Sequence, residues 1–107
     1  MLNGTEYFGS YINGTKDGLG IQIWQAGNKY SGQWKNNMQN GLGVFEWKDG
    51  RVYTGQWKDS EMHGFGRYIL KENKTYEGEF YADKKHGYGI YTWPDGRVYE
   101  GYWKDSK

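Results

Sequence analysis

The chain has 107 residues, 18 of them Gly and 21 aromatic, against 12 Leu, Ile and Val together. That length holds one domain or one repeat array, and so few aliphatic side chains leave burial to Trp, Tyr and Phe. A net charge of +1 from 14 basic and 13 acidic residues supplies no basic stripe for nucleic acid, and zero cysteines exclude disulfides, thiol catalysis and Cys-zinc sites. No apolar run approaches 18 residues and no signal segment opens the sequence, so a cytoplasmic chain without a transmembrane segment is expected.

A 23-residue period organises the chain. Tyr7, Tyr30, Tyr53, Tyr76 and Tyr99 each precede a Gly by two positions (Gly9, Gly32, Gly55, Gly78, Gly101) and an aromatic by four (Tyr11, Trp34, Trp57, Phe80, Trp103). A second motif keeps the same step: Gly18/Gly20, Gly41/Gly43, Gly64/Gly66 and Gly87/Gly89, closed by Trp24, Trp47, Leu70 and Trp93. The spacing divides residues 1–107 as a single array, with repeats at about 7–29, 30–52, 53–75 and 76–98 and a half repeat at 99–103.

Both motifs are short period-two aromatic runs and predict strands. The first element is the Tyr7 strand and the second the Gly18/Gly20 strand, and the pair recurs to the Tyr99 strand, giving about nine antiparallel strands in one elongated sheet. At about 4.8 Å per strand the ribbon is on the order of 40 Å long. Two kinds of connector alternate: short turns ending in Gly or Asn, such as Pro94-Asp95-Gly96, and polar stretches read as six-residue loops, such as Lys35 to Asn40 and Lys58 to His63. Pro94 has its φ preset for a type I turn, with Gly96 left-handed in a G1 bulge, so Trp93 is expected opposite Arg97 and Gly89 opposite Gly101. This register puts the repeat-fixed glycines and 16 aromatics on one face.

In sequence, Tyr53-Thr54-Gly55-Gln56-Trp57-Lys58-Asp59, then His63-Gly64-Phe65-Gly66, and Tyr99-Glu100-Gly101-Tyr102-Trp103 resemble MORN repeats (membrane occupation and recognition nexus). The resemblance covers residues 4 to 103. Asn73 stands for the turn Gly, Leu70 for Trp, and Asp17 and Asn40 where His63 and His86 stand. The resemblance implies an elongated twisted sheet used as a scaffold for other proteins in cytoskeletal, ciliary or membrane-associated assemblies. Catalytic domains that accompany such repeats elsewhere are absent from this sequence, so no enzymatic activity carries over.

The expected partner-binding surface is the aromatic face: Tyr30, Trp34, Phe45, Trp47, Tyr53, Trp57, Tyr68, Tyr76, Phe80, Tyr91, Trp93, Tyr99 and Trp103. Phe8 and Tyr102, on the first and last strands, are expected edge contacts for neighbouring chains or for self-association. Lys48, Arg51, Lys71, Lys74 and Arg97, near the short turns, are the residues for the alternative reading, contact with anionic phospholipid or phosphoinositide headgroups; Asp49, Glu72 and Asp95 among them cancel much of that field. A second alternative is an aromatic cage for a small cation or sugar. His63 and His86 lie two strands apart, about 10 Å, too far to share a zinc ion, and Glu77, Glu79 and Glu100 have no pocket to work in. Neither a metal nor a cofactor is expected.

Overall fold

A computed structural model describes residues 5–104. Nine strands form one antiparallel sheet in chain order: β1 (Glu6–Ile12), β2 (Thr15–Ile23), β3 (Lys29–Lys35), β4 (Met38–Glu46), β5 (Val52–Lys58), β6 (Glu61–Ile69), β7 (Thr75–Tyr81), β8 (Lys84–Thr92) and β9 (Val98–Trp103). The ribbon measures 46 × 23 × 18 Å.

The hairpins from even to odd strands have the expected register. Gly89 pairs with Gly101 and Tyr91 with Tyr99; the Trp93 amide donates to the Arg97 carbonyl at 2.9 Å and the Gly96 amide to the Trp93 carbonyl at 3.0 Å. Gly96 has φ +94°, the left-handed position that closes the G1 bulge. The third such turn, where Asn73 replaces Gly, departs: Glu72 and Asn73 both take left-handed φ, 61° and 60°, in a short 3-10 segment at Lys71–Asn73.

The expected six-residue loops are not loops. Two residues at the tip of each, Asn36-Asn37, Asp59-Ser60 and Ala82-Asp83, have φ between 49° and 69° and make type I′ turns, whose twist matches that of the flanking strands. The rest of each polar stretch is paired strand, Lys35 opposite Met38 and Lys58 opposite Glu61. Each turn is fastened to the preceding repeat. The Asn37, Ser60 and Asp83 amides donate to the carbonyls of Lys16, Gln39 and Met62 at 2.9–3.1 Å, and their side chains accept from the same residues' amides at 2.7–3.1 Å.

A second correction concerns the glycines. Between Gly32↔Gly43 and Trp34↔Gln39, β4 has three residues where β3 has one, and Gly41 takes φ +101° in the resulting bulge. Gln33 plugs that bulge, its Oε1 accepting from the Leu42 amide at 2.6 Å; Gln56 and Glu79 do the same for Phe65 and Tyr88 at 2.6 and 2.7 Å. The first Gly of each Gly-x-Gly therefore meets a polar side chain of the outer face instead of a ring. The second Gly does lie under a ring: a Cβ on Gly43, Gly66 or Gly89 would overlap the phenol of Tyr30, Tyr53 or Tyr76.

The core is a ladder of perpendicular rings. Tyr30 packs on Trp34 of its own strand and on Trp57 of the next repeat, with centroids 5.1 and 5.4 Å away. Tyr53 packs on Trp57 and Phe80, and Tyr76 on Phe80 and Trp103, at 5.1–5.6 Å. Edge-to-face geometry at this distance adds about 0.5–1.5 kcal/mol per pair beyond area burial. Tyr30, Tyr53 and Tyr76 are fully buried. Their hydroxyls donate to the carbonyls of Gln33, Gln56 and Glu79 at 3.0–3.1 Å, which satisfies the one polar atom each ring carries inside.

Candidate partner-docking surface

The aromatic face divides into two strips. Tyr30, Trp34, Tyr53, Trp57, Tyr68, Tyr76 and Phe80, expected to touch a partner, are buried in the chain's own core; they are the spine on which the surface is built. Beside them, toward the three-residue turns, runs a half-buried row of Trp24, Phe45, Trp47, Leu70, Tyr91 and Trp93. Phe45 stacks between Trp24 at 5.4 Å and Trp47 at 4.5 Å, and Tyr91 lies 4.6 Å from Trp93. Phe45, Trp47, Tyr91 and Trp93 belong to the predicted site and keep free surface here, and Trp24 and Leu70, outside that prediction, complete the row. At the last strand Trp103 is half-buried and Tyr99 is 44% exposed, against 0% for its three buried counterparts.

The row is interrupted at Leu70. With no indole there, a shallow depression opens, floored by Tyr68, Leu70 and Tyr91 and rimmed by Arg51, Lys71 and Lys74 with Asp49 and Glu72. Burial pushes the Tyr68 hydroxyl up from the ordinary phenol value, and it accepts from the Arg51 guanidinium at 2.9 Å.

The basic turn residues are largely committed within the chain. Arg51 Nε donates to both Asp49 oxygens at 3.1 and 3.0 Å and its guanidinium covers Trp47 at 4.9 Å, while Lys71 lies 3.5 Å from the same carboxylate. Arg97 repeats the arrangement with Asp95 and Trp93, and Lys74 lies 3.6 Å from Glu72. The Arg51 and Arg97 hydrogen bonds hold the Asp49 and Asp95 carboxyls below the usual carboxylate range. Lys48 is exposed beside Gly27, and its backbone amide donates to Asn28 Oδ1 at 2.8 Å.

A ring cage does exist, and one of the chain's own cations occupies it. Lys85 Nζ lies 5.6–5.7 Å from the rings of Tyr76, Tyr91 and Trp103, and burial lowers its pKa from the ordinary lysine value. Lys16 takes the same place in the first repeat, 5.3 Å from Tyr7 and Trp34. Gln39 and Met62, in the same phase of the middle repeats, are buried there. The sequence reading missed these residues, although the 23-residue step from 16 to 39, 62 and 85 marks them. His63 and His86 flank Tyr81 on the outer face at 5.4 and 5.8 Å. Among the described residues no group of three or more His, Cys, Asp or Glu is placed to hold a metal, and no helix is long and apolar enough to cross a membrane. Phe8 and Tyr102 are 58% and 78% exposed on the edge strands.

An open antiparallel ribbon of 23-residue hairpins, with a Tyr ladder over paired glycines, defines a β-hairpin repeat protein. The MORN repeat profile matches residues 7–29, 30–50, 53–73 and 76–96, and the chain belongs to that family. Among curated proteins, a search finds none that matches the chain.

Proposed function

We propose that the chain is a non-catalytic docking platform that seats a partner protein along the row from Trp24 to Trp93, in an assembly of the cytoskeletal or ciliary kind. The observation that carries this reading is the division of the aromatic face: a fully buried Tyr ladder makes a rigid base, and the half-buried row beside it stays available. Rigid aromatic side chains lose little entropy on binding, which is why such residues dominate interface energetics. The notch at Leu70, with Arg51, Lys71 and Lys74 on its rim, fits an apolar side chain with a carboxylate next to it in the partner segment.

Affinity enrichment from the native source, with the wild type beside Trp47→Ser/Trp93→Ser, tests this. A stoichiometric protein retained by the wild type and lost from a still folded variant is the expected result; equal retention rejects the row as the site. Sedimentation with anionic phospholipid vesicles at physiological salt tests the other reading. Binding that survives there, and is lost when Lys48, Lys71 and Lys74 are reversed to Glu, would replace the protein partner with a membrane. The ion pairs at Asp49, Glu72 and Asp95 favour the protein.

A further inference from the structure

The opposite face of the sheet is uncovered and carries its own apolar ridge. Leu19 and Leu42 are 68% and 61% exposed, Phe65 and Tyr88 61% and 43%, and Ile21 and Ile90 flank them. These residues stand proud because the polar side chains between them lie down: Gln33, Gln56 and Glu79 fold onto the backbone amides of Leu42, Phe65 and Tyr88. With Phe8 and Tyr102 at the ends of the sheet, side chains of roughly 200 Å² each expose on the order of 800 Å² of apolar surface. Summed over the whole face, that equals the about 800 Å² per partner of a stable interface.

We infer that this face is the interface of a back-to-back dimer with a second copy of the chain. The sequence of the ridge is self-complementary about β5. A two-fold axis along β5 lays β4 over the partner's β6 and β2 over its β8, so Leu42 meets Phe65 and Leu19 meets Tyr88. Each contact joins a smaller aliphatic side chain to a larger ring, the interdigitation that sheet-on-sheet packing about 10 Å apart requires. Charge follows the same symmetry. The ionised residues in the middle rows of this face, Arg67, Glu77, Glu79 and Glu100, lie in its C-terminal half, on β6, β7 and β9. The axis sets Arg67 opposite Val44, Glu77 opposite Ser31, Glu79 opposite Gln33 and Glu100 opposite Phe8, so no like charges meet. A parallel arrangement would superpose the glutamates.

Analytical ultracentrifugation of the whole chain from the low micromolar to the millimolar range tests the inference. The wild type is expected to dimerise reversibly, and Leu42→Asp/Phe65→Asp to raise the dimer dissociation constant about a hundredfold, because the carboxylate introduced at position 42 then faces the one at position 65 of the second copy and like charges meet at both central contacts. Both positions are exposed in the monomer, so tryptophan fluorescence from the other face should not change. Because the chain has no Cys, Leu42→Cys and Phe65→Cys can be oxidised separately and as a mixture, and the disulfide-linked heterodimer should exceed either homodimer. A wild type that stays monomeric overturns the interface. So does a dimer unaffected by the aspartates, which would pair through its sheet edges, or a heterodimer no more abundant than the homodimers.

Discussion

The Tyr53 phenol occupies the space in which a Cβ on Gly66 would stand, while its hydroxyl donates to the Gln56 carbonyl at 3.0 Å. Glycine is required at 66 for space alone, because its φ is not positive. Gly50 is the reverse case, with φ +100° and nothing within 4 Å of an added Cβ. Gly66→Ala should therefore cost about 3 kcal/mol, the overpacking range, and Gly50→Ala about 1 kcal/mol for left-handed backbone. Urea unfolding of the two variants checks the order. Adding Tyr53→Phe to Gly66→Ala should recover part of the loss, so the pair couples in a double-mutant cycle.

Ala82 begins a type I′ turn at φ 49°, a region that disfavours alanine and in which Asn is tolerated. The equivalent position in the second repeat is Asn36, at φ 51°. Ala82→Asn is expected to raise stability by about 0.5–1 kcal/mol, seen as a higher urea midpoint with an unchanged slope. A loss of stability would mean that the turn relies on some property of Ala82 other than its backbone angles.

These two sites show what the sequence made legible. Pro94-Asp95-Gly96 carries turn chemistry residue by residue, and the register drawn from it is the one observed. Asp59-Ser60 and Ala82-Asp83 carry none: neither pair is Asn-Gly or Asp-Gly, so two-residue turns hid inside polar stretches. They persist because Ser60 and Asp83 are held by the preceding repeat through hydrogen bonds to Gln39 and Met62, a tertiary cause without a local signal. The aromatic face was legible as a face. Its division into buried ladder and open row was not, because Tyr53 and Trp47 are both large aromatics in the sequence, and only the crossing of Tyr53 over Gly66 decides which of them disappears from the surface.

Gln56 reads as an ordinary solvated strand residue, yet its Oε1 accepts from the Phe65 amide across the bulge at 2.6 Å. Gln56→Ala should cost about 1 kcal/mol, the net worth of one such bond. Gln56→Glu should be nearly neutral, since Glu79 performs the same task for Tyr88 at 2.7 Å. Gln25→Ala, in an exposed turn, should change stability by less than about 0.5 kcal/mol. Amide exchange gives the local reading: protection at Phe65 should fall in Gln56→Ala before protection at Tyr53 does.

The buried ladder also sets an upper pH limit. Burial raises the phenol pKa of Tyr30, Tyr53 and Tyr76 above the ordinary value of 10.0, pushing Tyr76 up to about 12 and the other two further. In the folded chain these groups keep their protons above pH 10, where the unfolded chain releases them, so the folded state binds more protons. Stability from the ladder is therefore complete below pH 10 and falls as pH rises toward 12 and beyond. Tyrosinate absorbance followed together with tryptophan fluorescence should show part of the tyrosinate of the 11 tyrosines appearing only as the fluorescence reports unfolding. Tyr53→Phe removes one proton from that linkage, so its loss of stability with pH should be shallower than the wild type's. Complete ionisation of all tyrosines in a chain that stays folded would contradict the burial on which the ladder rests.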